Sequence, residues 1–495
     1  MTDHARTNPP PSPPASGRGA RQRDLTTGAI GPALLAFALP TLGSNILQSL
    51  NGSINAIWIG TYLGEDALAA TSNANIIMFL MFGAVFGFGM AATILVGQSW
   101  GRRDVEAARR AFGSAIGLVL AASIVVASLG WAFAPEILSL LKTPGAAMPL
   151  ALTYLRVIFL GLPASMLLVL MSMGLRGTGD SVTPLWFSAL SVALDSGLNP
   201  VFIEGLGSAP RLGIAGSAVA TLIANAVALA GMVAWIAWRD LPLRLKGAEV
   251  RYILPDRALV RAIVGKGLPI GAQMLVISTA ALFMVGLVNR EGVATAAAYG
   301  ITQQIWAYVQ MPALAIGAAV SAMAAQNIGA GRWDRVGAIT RAGLIGNVVM
   351  TGVLVVLVVW FDRTVLGWFR LGPAALPIAS RIGLIATWSF VLFGATMVLF
   401  GVVRANGAVL GPLLILFVSM FPVRLGLATA MRPWLGTDAL WWSFPAGSAA
   451  NLVMAALFYR FGGWRKGSLK VPEAPEPEEQ AHGVVEPAGM LKPAG

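Results

Sequence analysis

Asp195 stands in the middle of an oily stretch, SALSVALDSGLNPVFIEG, residues 188–205. The chain has 22 acidic residues, and the others fall in polar ends, in connections or at the edges of apolar stretches. A carboxylate at such a place has three options. It holds a proton, it binds a cation, or it stays an unpaired charge at a cost of about 3 kcal/mol or more. Asn199, four residues on, shares its helical face and offers an amide. The pair reads either as an ion-coupling site or as a protonated group that ties two helices. A second polar set, Asn45, Gln48, Asn51 and Asn55, lies at helical offsets of 0, 3, 6 and 10. That spacing makes one stripe turned away from lipid, suited to a polar interior or to hydrogen bonding between helices. Cysteine is absent and the two histidines, His4 and His482, lie in the polar ends. Thiolate chemistry and an embedded His/Cys metal site are therefore excluded, and no cofactor is expected beyond a proton or sodium as coupling ion.

The elements that must carry these residues are membrane spans. The 495 residues are 56% hydrophobic and 11% charged, with a mean hydropathy of +0.73, far from the roughly 25% charge of soluble domains. Stretches of the length a bilayer requires occur at 31–58, 72–97, 112–133, 149–174, 182–203, 213–238, 260–289, 294–324, 337–360, 376–402, 409–431 and 439–461. Twelve spans put both ends on one side. With the ends inside, the N-terminal end, the even-numbered connections with their flanking span ends, and residues 460–470 carry 24 Lys and Arg. The other side carries eight: Lys142, Arg156, Arg211, Arg290, Arg363, Arg370, Arg381 and Arg432. The richer side is expected to be cytoplasmic. The net charge of +12 is thus mostly topology, and nucleic acid is not an expected partner.

The sequence is also duplicated. Gln98 and Gln326, Arg176 and Arg404, and Pro184 and Pro412 are each 228 residues apart, and Pro40 and Pro269 differ by 229. AGSA recurs at 215–218 and 446–449. Six spans per unit orient both halves alike, which is one of the two repeat plans of secondary transporters, with the site between the halves. The expected fold is an all-α integral membrane protein of twelve transmembrane helices in two parallel six-helix repeats around a central cavity. Its divisions are a disordered tail at 1–29, a lobe at 30–238, a cytoplasmic linker at 239–258, a second lobe at 259–462 and a disordered tail at 463–495. No Walker pattern is present for direct use of ATP. Pro40 and Pro269 lie inside spans, where proline kinks a helix; the kink serves gating or is simply fixed. Arg176, Arg404, Gln98 and Gln326, at span ends with glycines beside them, read as structural.

ALPTLGSNILQSLNGSINAIWIGTYLGEDALAATS, GQSWGRRD, MGLRGTGDSVTPLW, and GLNPVFIEG followed by LGIAGSAVAT resemble the multidrug and toxic compound extrusion (MATE) family over residues 31–462. The resemblance implies an antiporter that exports organic cations or amphipathic compounds on a proton or sodium gradient, by alternating access. It also brings Thr221 of the sixth span to the Asp195 site. Two departures stand out. INAIWIG places Asn55 where the family usually has an acid, as in VDTIFVG. DSGLNP reverses the family's N-x-x-x-D-P, so Asp195 and Asn199 are exchanged. Met78, Phe82 and Trp306 suit an adaptable apolar-cation cavity, or else lipid-facing and core packing, and Gln303 and Gln304 suit a polar lumen. Protons are favoured over sodium because a single deep carboxylate is present. A small-molecule substrate, membrane lipids, a monomer and the bacterial inner membrane are expected. A lipid or lipid-linked precursor flippase is the alternative, with Arg424 as its main basic residue; a non-transporting scaffold is a third.

Overall fold

The computed structural model describes residues 24–466 apart from 141–144, 146, 208 and 370–371; several side chains between 65 and 84, that of Phe82 included, lie outside the described residues. The protein is helical throughout these residues, without strands. The first six spans are Ile30–Leu63, Glu65–Gly101, Val105–Ala132, Met148–Gly177, Val182–Glu204 and Ile214–Trp238. The second six begin with Arg257–Asn289 and a broken helix, Val293–Val309 followed by Met311–Gly329. Trp333–Trp360 is the ninth. Ala375–Ala386 and Ser389–Ala405 form the tenth, bent by 43°. The eleventh runs from Leu410 to Ala430 through a π-helical segment, Ser419–Leu425, and Asp438–Phe461 is the twelfth.

Both ends of the described chain lie on one face, called here the terminal face. Its tight turns are built by short polar side chains. Asp104 caps the third span by accepting from the Ala107 N–H at 2.9 Å, and Asp180 accepts from the N–H groups of Val182 and Thr183 at 3.1 and 2.9 Å, each satisfying donors that a helix start leaves free. Within the expected tail, residues 24–29 are exposed apart from Leu25 and the partly buried Thr26. Leu25 is fully buried, and its carbonyl accepts from Asn327 Nδ2 at 3.0 Å. The segment joining the halves includes a 3₁₀ turn, Gly247–Ile253, docked on the third span. Arg109 pairs there with Glu249 at 2.8 Å, and Tyr252 donates to Glu106 at 2.9 Å. Burial opposes ionisation of Glu249. The Lys246 backbone N–H and the Arg109 guanidinium outweigh it and hold the carboxyl below its usual range.

The two lobes exchange halves of their first helices. Leu34, Phe37 and Ala38 of the first span bury themselves among Ile316, Val320, Ile339 and Val398 of the second lobe. Leu259 and Ile263 of the seventh span bury themselves in the core of the first lobe. Beyond Pro40 the first span packs along the fifth. Beyond Pro269 the seventh supplies Ala280, Met284 and Val288 to second-lobe clusters. Each proline therefore sits where its helix passes from the foreign lobe to its own.

The terminal face is closed by contacts that obey the sequence repeat. Gln98 Nε2 donates to the Ala405 carbonyl at 2.7 Å, and Gln326 Nε2 donates to the Gly177 carbonyl at 2.9 Å. Ala405 is Gly177 plus 228, as Gln326 is Gln98 plus 228. A Cβ on Gly101 would stand 1.9 Å from the Gln326 carbonyl oxygen, and one on Gly329 would stand 2.0 Å from that of Gln98. Glycine is required at both crossings because the backbones themselves meet. The glutamines read from sequence as structural end residues thus join one lobe to the other. Among the described residues, the buried apolar clusters that draw on both lobes do so through the half of the molecule nearer this face. The lobes close there.

Candidate functional site

Asp195 lies thirteen residues into the fifth span, about 20 Å along its axis at 1.5 Å per residue. It is 1% exposed. Its two oxygens accept four hydrogen bonds from three spans. Oδ2 takes Asn51 Nδ2 at 2.7 Å and Asn55 Nδ2 at 2.9 Å, both from the first span beyond Pro40. Oδ1 takes Asn199 Nδ2 at 3.0 Å and Thr221 Oγ1 at 3.0 Å. Asn199 also donates to Asn55 Oδ1 at 3.0 Å, which locks the amide on the first span to the one on the fifth. Helical periodicity explains the convergence: Asn51 and Asn55 are four apart, as are Asp195 and Asn199, so each helix presents two groups on one face.

Every lone pair of the carboxylate that meets the protein meets a donor. Such a shell replaces water around the charged form, which a bare apolar setting would not tolerate. Two oxygens beside it, Asn51 Oδ1 and Asn199 Oδ1, are buried without a partner. The site therefore combines a satisfied carboxylate with spare acceptors that a proton or a small cation would engage.

Five of the residues singled out from sequence, Asn51, Asn55, Asp195, Asn199 and Thr221, meet here. The remaining ones lie elsewhere. Asn45 is partly buried and Gln48 exposed on the same helix. Met78 packs against the core of the first lobe. Trp306 is 4% exposed, donates to Thr387 at 2.9 Å at the bend of the tenth span, and packs on Phe390 and Phe444. It is a core residue of the second lobe and presents no surface to a lumen. Gln304 is exposed, and the partly buried Gln303 bonds the Tyr299 hydroxyl. Tyr154 of the fourth span, buried within electrostatic reach of Asp195, belongs to the surroundings of the site. A lone tyrosine in an apolar span carries no pattern that would have singled it out.

The model of the MatE family matches residues 40–201 and again 269–429, two copies at the spacing of the internal repeat. Over 435 residues the chain is 33% identical to the probable multidrug resistance protein YoeA of Bacillus subtilis (strain 168), covering 88% of this chain and 94% of that one. It is 30% identical over 447 residues to the probable multidrug resistance protein YpnP of the same organism, covering 90% and 98%. Among solved structures, the fold matches that of a multidrug resistance MATE family transporter of the MOP superfamily in an outward-facing conformation. The TM-score is 0.82 at 20% sequence identity, over 91% of this chain and 98% of that one. Two matched repeats, full-length relatives and a shared twelve-helix architecture agree: the chain is an integral membrane transporter and belongs to the MatE family.

Proposed function

We propose that the protein is an antiporter that exports organic cations or amphipathic compounds by alternating access, coupled to protons through Asp195. The observation that carries this reading is the amide shell: a single deep carboxylate of the fifth span held by two amides of the first span. A proton arriving on Oδ2 would face the N–H groups of Asn51 and Asn55. One of those amides must then turn, and Asn51 Oδ1, which lacks a partner, is the acceptor the turn would present. Protonation so changes the grip between the fifth span and the part of the first span beyond Pro40. The proline leaves the Ala36 carbonyl without its helical donor, which lowers the resistance to bending there. The names of the relatives support a multidrug substrate range. The excess of basic residues on the terminal face supports cytoplasmic ends in a bacterial inner membrane. In this reading, residues 30–238 and 259–462 act as the two lobes of a monomer surrounded by lipid.

Asp195→Asn keeps the size of the side chain and removes its proton chemistry. In proteoliposomes, export of a cationic dye driven by an imposed pH gradient is expected to disappear in this variant at unchanged protein level. Full export would overturn the assignment, and exchange driven by sodium at constant pH in the unsubstituted protein would replace the proton as coupling ion.

A further inference from the structure

Arg424 lies fourteen residues into the eleventh span, about 20 Å from its start at the helical rise of 1.5 Å per residue. Under the repeat of 228 it corresponds to Ser196, the neighbour of Asp195, so the two halves place opposite charges at one depth. It is partly buried inside the second lobe. Its guanidinium carbon stands 3.6 Å from the ring centroid of Phe444, and Nη1 approaches Met420 Sδ at 3.6 Å. Its Nε is buried without a partner. None of these neighbours is anionic. The four acidic residues of the second lobe are engaged elsewhere: Glu291 with Arg432, Asp334 with Arg332, Asp438 with Arg381, and Asp362 with Ser380. Arg176 and Arg404 also lack acidic partners among the described residues, but each lies in the last turn of its helix, where the helix end carries partial negative charge.

A deep guanidinium without a counter-charge costs free energy that packing on one ring offsets only in part. The backbone around it is also irregular. The π-helical turn from Ser419 to Leu425, which contains Pro422, widens the helix at this point, a distortion frequent at functional sites. We propose that Arg424 is an anion-binding site inside the second lobe. It receives a carboxylate or phosphate of an amphiphile, so the substrates of the protein include compounds that carry a negative group, zwitterions among them. The guanidinium fork is built for two parallel bonds to such a group. This rests on the reading of the protein as an exporter of small molecules, and it narrows their class.

The test compares rhodamine B, a zwitterion, with its ethyl ester, which keeps the same chromophore and cation but has no carboxylate. Binding to the purified full-length protein is read by fluorescence anisotropy, without any gradient. Rhodamine B is expected to bind more tightly than the ester. In Arg424→Gln the ratio of the two affinities should fall about tenfold, the range of a lost charged hydrogen bond, and Arg424→Lys should lie between. An unchanged ratio in Arg424→Gln overturns the proposal, as does a ratio of one in the unsubstituted protein, which needs no variant. Displacement of rhodamine B by dioleoylphosphatidylglycerol but not phosphatidylcholine, lost in Arg424→Gln, assigns a lipid phosphate as occupant; no displacement assigns the soluble carboxylate. Transport of the ester on a pH gradient is scored separately. Its failure would sink proton-coupled export while leaving the affinity ratio to decide the anion site.

Discussion

At the scale of single residues, the fifth span concentrates the chemistry. Asp195 and Asn199 were legible in the sequence because a carboxylate in an oily run is costly and a neighbour four residues on shares its face. Asn51 and Asn55 were legible as part of a polar stripe, though nothing in the stripe says which two of its four members reach across. Thr221 came only from the resemblance, since a threonine in a span is unremarkable by itself. Its hydroxyl has one hydrogen and two acceptors within reach, Asp195 Oδ1 at 3.0 Å and the Ser217 carbonyl at 3.2 Å. Thr221→Val keeps the shape and removes one of four donors to a charged group, worth about 1.5–3 kcal/mol. Gradient-driven export in proteoliposomes is expected to fall about tenfold or more, by the same arithmetic, and Thr221→Ser should restore most of it. Equal export by Thr221→Val and the unsubstituted protein would remove the hydroxyl from the site.

At the scale of elements, the sequence announced the spans but hid their joints. Hydropathy locates a span and says little of a break within it, because the apolar run continues through the bend at 387–388 and through the π-helical segment. The closure of the terminal face was hidden for another reason. Gln98 and Gln326 were visible as a repeated pair, but their acceptors are backbone carbonyls of the opposite lobe, which have no side-chain signature. The closure is worth about 1–3 kcal/mol for two hydrogen bonds, so removing both amides by Gln98→Ala with Gln326→Ala should shift the open–closed balance by about 5- to 150-fold. Gly101→Ala should act in the same direction by steric conflict, since the clash is with backbone. The chain contains no cysteine, so spin labels at Arg102→Cys and Asp334→Cys report this motion without background. Their distance distribution is expected to lengthen in both variants. A distribution identical to that of the unsubstituted protein would mean that the glutamines hold nothing shut.

At the scale of the whole molecule, the duplication was written in the near-constant offset of its landmarks, and the parallel lobes followed from six spans per unit. The exchange of half-helices between lobes was not legible, because an apolar helix face does not name the core it enters. It carries a prediction of its own. Fragments 1–246 and 247–495, expressed separately, should each be degraded or aggregate in the membrane, and co-expression should recover both as one complex on size-exclusion chromatography. A stable fragment in isolation would show that the exchanged helices add little to either core. The same exchange sets a timetable for biosynthesis. The Ile30–Leu63 span completes its burial only after the eighth, ninth and tenth have been made, and the first lobe stays incomplete until the seventh arrives. Until those spans are made, the faces of Leu34 and Phe37 that meet them are left to lipid or an insertion factor, so the nascent chain, rather than the finished protein, is the form most exposed to loss.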